Sequence, residues 1–339
     1  MEANDRKHEG VDTEKFLQLH FSFGPSRVLT TALQLKVFSH IAGGNSSAAA
    51  IARSAGASER GMRMLLDALV SLDLLSKTNG EYTLPPFSER YLVRENPDYL
   101  GYIMENESLW DAWSNLTECV RTGKPSAAVN QREKAEEFFP VLVRGLHITN
   151  RMPARRLAQE LKLGNPDNDL QVLDVACGSG VWGIAVAETC PKAHVTALDF
   201  PKVLELTRQF LHQHGVENQY DFLPGDLKRV DLGESRFDLA LLGNIVHSEG
   251  EGSSRELFTR LYRALRSGGR IVILDMIPNN DRTGPLFPLL FALNMLVNTD
   301  EGGTYTLAEY TQWLLDAGFA RIETANIGLH SPAIIAAKP

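Results

Sequence analysis

From Leu29 to Val93 apolar positions recur at the spacing of amphipathic helices. Leu33, Val37, Phe38 and Ile41 form one stripe, and Met62, Leu65, Leu66, Leu69 and Leu72 form another. Between them SSAAAIARSAGASERG reads as a short helix, a glycine turn and an N-cap at Ser58, the rhythm of a helix-turn-helix. LLSKTNGEYTLPP then places two short strands about Asn79-Gly80, a pair suited to the left-handed backbone of a tight hairpin. Helix-turn-helix followed by a hairpin predicts a winged helix. Residues 95–163 continue as helix, with Trp110, Trp113, Leu116 and Val120 in one stripe. Phe138, Phe139, Leu142 and Leu146 line a connector helix over 139–163.

The period changes at Asp169. After the loop GNPDND, the runs LQVLDV, HVTALDF, QYDFLP, FDLALL and RIVILDM alternate with helical stretches. Such alternation predicts an α/β fold, a doubly wound, Rossmann-like, mostly parallel sheet, behind an N-terminal helical winged-helix domain. FARIETANI and PAIIAAK read as two last strands that close the sheet antiparallel. The expected domains are 1–165, helical and including the connector, and 166–339, the sheet.

Charge narrows the partners. Lys+Arg is 34 against Asp+Glu 42, a net charge of -8, so the chain as a whole has no attraction for nucleic acid or anionic lipid. SERGMRMLLDALVSLDL, the second helix of the helix-turn-helix, is apolar over most of its circumference, with Arg60 and Arg63 near its start. A second subunit is a better partner for that surface than DNA, which predicts a homodimer. Cys119, Cys177 and Cys190 show no CxxC spacing, so neither a disulfide framework nor a cysteine metal site is expected. The N-terminus MEANDRKHEG has no apolar run, and the most apolar stretch, Leu286 to Val297, is interrupted by Pro288 and Asn294. A soluble cytoplasmic protein is expected.

Candidate chemistry gathers at the strand tips. LDVACGSGVWG runs from a strand ending near Asp174 through Gly178-Ser179-Gly180 into a helix, a turn that lets backbone amides approach a ligand. Alone it is equally a tight turn without a ligand. HVTALDF ends in Asp199, about 20 residues beyond the last glycine, where an acid holds a ribose diol. Dinucleotide and nucleoside both remain open at this point. Gly225-Asp226 follows the third strand, where an acid suits the exocyclic amine of an adenine.

With these three strand tips the chain resembles the class I S-adenosylmethionine (SAM) methyltransferases. More narrowly it resembles the O-methyltransferase family of acetylserotonin, caffeate-type and bacterial natural-product enzymes, with their N-terminal winged-helix dimerisation domain. The resemblance runs from about Leu29 to the end and implies SAM as cofactor, S-adenosylhomocysteine as product and no metal. It implies Asp174, Gly178 and Gly180 of LDVACGSG, Asp199-Phe200, Asp226-Leu227 and Asn244 as cofactor residues. Ala176 stands where the family commonly has glycine, which a negative φ would accommodate. His247 falls at the tip of the fourth strand, where O-methylating members place a catalytic histidine. It is a candidate general base, or else a cap of the next helix. Asp275 in ILDMIP and Tyr305 in GGTYT occupy the places of two orienting acids, so one acid is missing.

That gap keeps a second chemistry in view. A thioether sulfur attacks a sulfonium methyl with its own lone pair and needs no base. The acceptor would then be a small anion, such as a methylthio hydroxy acid on the way to a sulfonium osmolyte. Arg144, His147, Asn150 and Arg151, with Asn294 and Asn298, are candidate ligands for it, and Trp113, Phe139, Phe287, Phe291 and Met295 candidate apolar walls or plain core. The leading expectation is a SAM-dependent methyltransferase acting on a hydroxyl of a small molecule through His247, Asp275 and Tyr305. A SAM-binding winged-helix regulator and a dinucleotide oxidoreductase are the readings from other classes. The second leaves Gly225-Asp226 and His247 without a task.

Overall fold

The first apolar stripe does not form one helix. In the computed structural model, which describes residues 12–105, 107–126, 132–163 and 169–339 (132–141 by backbone alone), Lys36 takes a left-handed φ of 52°. After α1 (Thr13–His20), this break separates α2 (Phe23–Gln34) from α3 (Val37–Ala42), so Leu33 and Phe38 enter one core from different helices. The hydroxyls of Ser47 and Ser58 cap α4 (Ala48–Ser54) and α5 (Glu59–Ser71), accepting from the Ala50 and Gly61 amides at 3.2 Å in each case. Strands β1 (Ser76–Thr78) and β2 (Glu81–Thr83) meet through Asn79 (φ 51°) and Gly80 (φ 82°), both left-handed, as the Asn-Gly pair predicts. With α6 (Pro86–Tyr91) and α7 (Gly101–Met104), these elements make up the unit Met1–Asn106 around Ile51, Met62, Leu66, Leu69 and Tyr82.

The unit Glu107–Pro339 begins with α8 (Ser108–Ser114), α9 (Leu116–Thr122) and the 29-residue α10 (Arg132–Glu160). Then come β3 (Gln171–Val175), α11 (Val181–Thr189), β4 (His194–Asp199), α12 (Pro201–His214), β5 (Tyr220–Pro224) and β6 (Phe237–Gly243). The chain ends with α13 (Glu251–Ala264), β7 (Leu265–Leu274), α14 (Leu286–Asn298), α15 (Leu307–Asp316), β8 (Ala320–Ala325) and β9 (Ala333–Ala337). The seven strands are ordered β5-β4-β3-β6-β7-β9-β8, with β3 to β7 parallel and β9 antiparallel to both neighbours.

Alternate residues of the central strands feed opposite faces. Val172, Leu239 and Leu241 join one apolar layer, and Leu173, Ala240 and Leu242 the other. A sheet buried on both faces requires such nearly unbroken apolar runs. Residues Val181 to Ala187 of α11 are all buried in the first layer, beside Ala154, Leu157 and Leu161 of α10. By contact α10 therefore lies with the sheet, and the spatial boundary at Asn106 precedes the one expected at 165. Strand order reverses between β3 and β6, which opens a crevice at the carboxyl ends of these strands. Among the described residues no helix is long and apolar enough to cross a membrane.

Candidate active site

Past β3 the chain turns through Ala176 (φ 50°), Gly178 (φ 56°) and Gly180 (φ 75°), the last capping α11. Ala176 thus departs from the negative φ under which an alanine would be unstrained. Its methyl group stands against the neighbouring carbonyl, a conformation that costs an L-residue roughly 1–2 kcal/mol. The Asp199 carboxylate accepts from the Gly178 amide at 2.9 Å and from the Phe200 amide at 2.7 Å. Burial pushes its carboxyl up to about 6 in spite of those amides.

Asp174 is fully buried at the end of β3. Its Oδ2 accepts from the Gly183 amide at 3.2 Å, and Oδ1 has no partner among the described residues. Burial, and to a lesser degree the charge of Asp199, raise the Asp174 carboxyl to about 8. A cleft of about 150 Å³ opens at the tip of β4, walled by Ala176, Asp199, Phe200, Asp226, Leu227 and Ile245. Asp226 Oδ1 accepts from the Lys228 amide at 2.9 Å, and Lys228 Nζ lies 2.9 Å from Glu249 Oε2, both wall residues. Asn244 (φ 58°) ends β6, its amide donating to the Leu274 carbonyl at 2.8 Å.

Neighbouring strands β6 and β7 deliver the next pair. His247 lies in a short 3-10 turn, Val246–Ser248, and Asp275 immediately follows β7. Asp275 Oδ1 sits 2.6 Å from His247 Nδ1 and accepts from the Met276 amide at 2.8 Å. Its Oδ2 accepts from the His247 amide at 2.9 Å and from the Tyr310 hydroxyl at 3.2 Å. An ionised carboxylate only accepts, so Nδ1 carries the imidazole proton and Nε2 presents its lone pair. Among the described residues no group hydrogen-bonds Nε2, and the ring meets Phe291 edge to face at 4.9 Å.

Tyr305 is not an orienting group for His247, contrary to the expectation from sequence. Its hydroxyl donates to the Glu249 carbonyl at 2.8 Å, and its ring packs on Trp313 at 4.7 Å. Burial and then the charge of Asp275 push that hydroxyl up to about 12. Tyr310, five positions on, touches the carboxylate instead. Gly302 was missed as well: a Cβ there would come within 2.6 Å of the His247 carbonyl, which also accepts from the Gly303 amide at 2.8 Å.

On α14, Phe291, Asn294 and Asn298 share one face by their spacing. Trp113 Nε1 donates to Asn294 Oδ1 at 3.0 Å, and Asn298 Nδ2 donates to the same oxygen at 3.1 Å. Met295 is buried, and Phe287 lies 5.9 Å from Phe291. Trp113 Nε1, Asn298 Nδ2 and Asn294 Oδ1 are thus engaged with one another, and among the described residues the wall carries no charged group.

The connector residues go elsewhere. Arg144 is exposed, 3.5 Å from Gln209 Oε1 on α12, while Asn150 is buried and Arg151 half-buried further along α10. The side chain of Phe139 lies outside the described residues. His147 is buried in a polar chain: Ser179 Oγ to His147 Nδ1 at 3.0 Å, His147 Nε2 to His214 Nε2 at 3.3 Å, His214 Nδ1 to Glu188 Oε1 at 2.7 Å. Glu188 accepts from His214 Nδ1, and with His214 neutral its Nε2 accepts from His147, whose Nδ1 then accepts from the Ser179 hydroxyl. His147 thus meets the glycine loop at Ser179. Among the described residues no group of three or more His, Cys, Asp or Glu could hold a metal ion.

Residues 113–320 match the family model of the O-methyltransferase domain, and residues 17–94 that of the O-methyltransferase dimerisation domain. The chain is 30% identical to the 3-hydroxy-5-methyl-1-naphthoate 3-O-methyltransferase of Streptomyces sahachiroi, over 89% of this chain and 88% of that protein. It is 32% identical to acetylserotonin O-methyltransferase of Homo sapiens, over 93% and 95% respectively. The crystal structure of human N-acetylserotonin methyltransferase in complex with SAM superposes with a TM-score of 0.83 at 27% identity, over 97% of this chain and 99% of that one.

Proposed function

The chain belongs to the SAM-dependent O-methyltransferase family, and from that premise we propose that it methylates a hydroxyl of a small aromatic molecule, with His247 as general base. The observation that carries this reading is the 2.6 Å contact of His247 Nδ1 with Asp275, which leaves Nε2 as the basic atom.

The cleft suits the cofactor. It is lined by a buried carboxylate at Asp199 and a second acid at Asp226, which SAM can satisfy with its ribose hydroxyls and adenine amine, and buried at the end of β3 the unpartnered Asp174 Oδ1 is left for its cationic tail. Gly178 and Gly180 would let the loop approach the cofactor closely, Phe200 and Leu227 would give it apolar contact, and Asn244 would border it at the tip of β6. When bound, SAM supplies an electrophilic sulfonium methyl.

The rest is the work of the chain's own side chains. His247 Nε2 takes the proton of the acceptor hydroxyl as its oxygen attacks, and Asp275 stabilises the imidazolium without itself being protonated. Phe291 and the Trp113–Asn294–Asn298 wall seat an aromatic ring and keep water out. Because that wall is neutral, a phenol such as the hydroxynaphthoate named for the Streptomyces relative suits it better than a small anionic thioether. We assign dimerisation to the winged-helix part of residues 1–165 and catalysis to 166–339 together with Trp113 and α10, which belong to the same compact unit as the sheet. Apolar side chains left on the surface of α1, such as Phe16 and Leu19, support a homodimer.

The test is to incubate the protein with methyl-labelled SAM and a panel of phenols, hydroxy acids and thioethers, and to identify the labelled atom. Label on a phenolic oxygen is the expected result. Label on sulfur alone overturns the reading.

A further inference from the structure

We propose that Tyr310 is a positioning residue for methyl transfer: its hydroxyl holds the Asp275 carboxylate that orients His247 and draws part of that carboxylate's charge away from the imidazole. The proposal rests on the reading of His247 as base.

The Asp275 carboxylate has four donors around it, and three of them are fixed by neighbouring backbone or by His247 itself: the His247 amide, the Met276 amide and His247 Nδ1. Tyr310 supplies the fourth, from a separate element, at 3.2 Å from Oδ2. Its side chain is wholly buried, so the hydroxyl needs a partner inside the protein, and Asp275 is that partner. Burial and then the charge of Asp275 push the hydroxyl well above the ordinary tyrosine range, which keeps it a proton donor throughout the working pH range.

The ring is held as firmly as the hydroxyl. Trp313 lies 5.8 Å away and Phe258 6.4 Å, and the start of α15 is fixed by a capping box between Thr306 and Glu309. Glu309 is also anchored by Arg282 at 2.7 Å. Tyr310 therefore approaches Asp275 from a rigid helix.

A donor in this place differs chemically from a second acid. An additional carboxylate would add negative charge behind the imidazole and make it more basic, whereas a neutral hydroxyl restrains Oδ2 and spreads the one charge present. The other titratable groups facing this region are Tyr305 on the Glu249 carbonyl, Glu249 paired with Lys228, Glu251 paired with Arg255, Glu301 beside Gly250, and Glu309 paired with Arg282. Replacing the Tyr310 hydroxyl alters none of these pairs.

The experiment is Tyr310→Phe in the full-length enzyme, which keeps the ring and removes the donor. Expected are a kcat lower by roughly tenfold with KM for SAM unchanged, from the loss of one hydrogen bond to a charged group. The acid limb of kcat against pH should move to higher pH, and the downfield Nδ1 proton of His247 should shift in the NMR spectrum. Site-specific difluorotyrosine at position 310, a stronger donor of nearly the same shape, should move the limb to lower pH. It also stands as the test should the phenylalanine variant fail to fold. An unchanged limb and an unchanged Nδ1 proton, with only a lower Tm, reduce Tyr310 to a structural residue and overturn the proposal. A wild-type kcat flat in pH, with the Nδ1 proton still displaced by the substitution, leaves Tyr310's hold on Asp275 standing and instead defeats the general-base reading of His247.

Discussion

The Gly178 amide and the Asp199 carboxylate meet at 2.9 Å, so one acid ties the glycine loop to the tip of the neighbouring strand. If the same carboxylate also receives the ribose hydroxyls, it must be ionised to accept them all. Its carboxyl is raised to about 6 by burial, so SAM affinity should weaken as pH falls below that value. The loss should approach tenfold per pH unit, because one proton competes with the ligand. Asp199→Ala should weaken SAM by about 1.5–3 kcal/mol at neutral pH, the size of charge-assisted hydrogen bonds. Calorimetry between pH 5 and 8 checks both, and a pH-independent dissociation constant would remove Asp199 from the ribose site.

Asp174 sets a pH dependence of stability. Its carboxyl is raised from 3.8 in the ordinary state to about 8 in the fold by burial. Below the lower value both states hold the proton and the group costs nothing. Above it the unfolded chain gives up its proton while the fold retains it, so stability falls progressively until pH 8. Asp199 acts in the same direction, between 3.8 and about 6. Urea unfolding without SAM should therefore show stability declining from pH 5 to pH 8, and Asp174→Asn should flatten the upper part of that curve.

The strands were legible because a sheet buried on both faces admits little besides apolar runs, and their tips were marked by Asp174, Asp199 and Asp226. The hairpin was legible from Asn79-Gly80. Lys36 and Ala176 were not, because both take a left-handed φ that no glycine advertises. Tyr305 and Tyr310 show a second limit. The linear motif pointed to the residue in the GGTYT loop, but helix geometry carried a later tyrosine to the carboxylate while the first was turned toward Glu249. The contact of His147 with Ser179 was not legible for a similar reason, since a helical pattern does not say which neighbour its buried face meets.

Ser179 and His147 yield a further prediction. Ser179→Ala removes the hydroxyl that lies 3.0 Å from His147 Nδ1, at the end of the chain through His214 to Glu188. Unfolding free energy should drop by about 0.5–1.5 kcal/mol, the size of one hydrogen bond, and SAM should bind more weakly because the glycine loop loses one of its tethers. Denaturant titration of the variant measures the first effect. Wild-type stability would show that the Ser179–His147 contact contributes nothing to the fold.

The winged-helix part should associate. Phe16 is 61% exposed, Leu19 66% and Phe21 64%, an apolar surface that a lone chain would leave in water. Light scattering at micromolar concentration should return twice the mass of 37.5 kDa, with an interface above about 2,000 Å² in total. A monomeric mass contradicts the assignment.

His247 separates the two methyl-transfer chemistries. With an oxygen acceptor, His247→Ala removes the base and should lower kcat roughly 10²–10⁴-fold, and the wild-type rate should fall toward acid pH as the imidazole gains its second proton. With a thioether the sulfur lone pair needs no base, so the same substitution removes only a contact and kcat stays nearly flat with pH. Binding and product release must be shown not to limit the rate, which single-turnover measurement provides. The Asp275 contact at 2.6 Å fixes the tautomer that a base requires, and the four-donor arrangement on Asp275 would have no purpose behind an idle ring. The steep pH-dependent loss is therefore the expected outcome. An active His247→Ala enzyme with a flat profile would sink O-methylation by this histidine while leaving the cofactor assignment untouched.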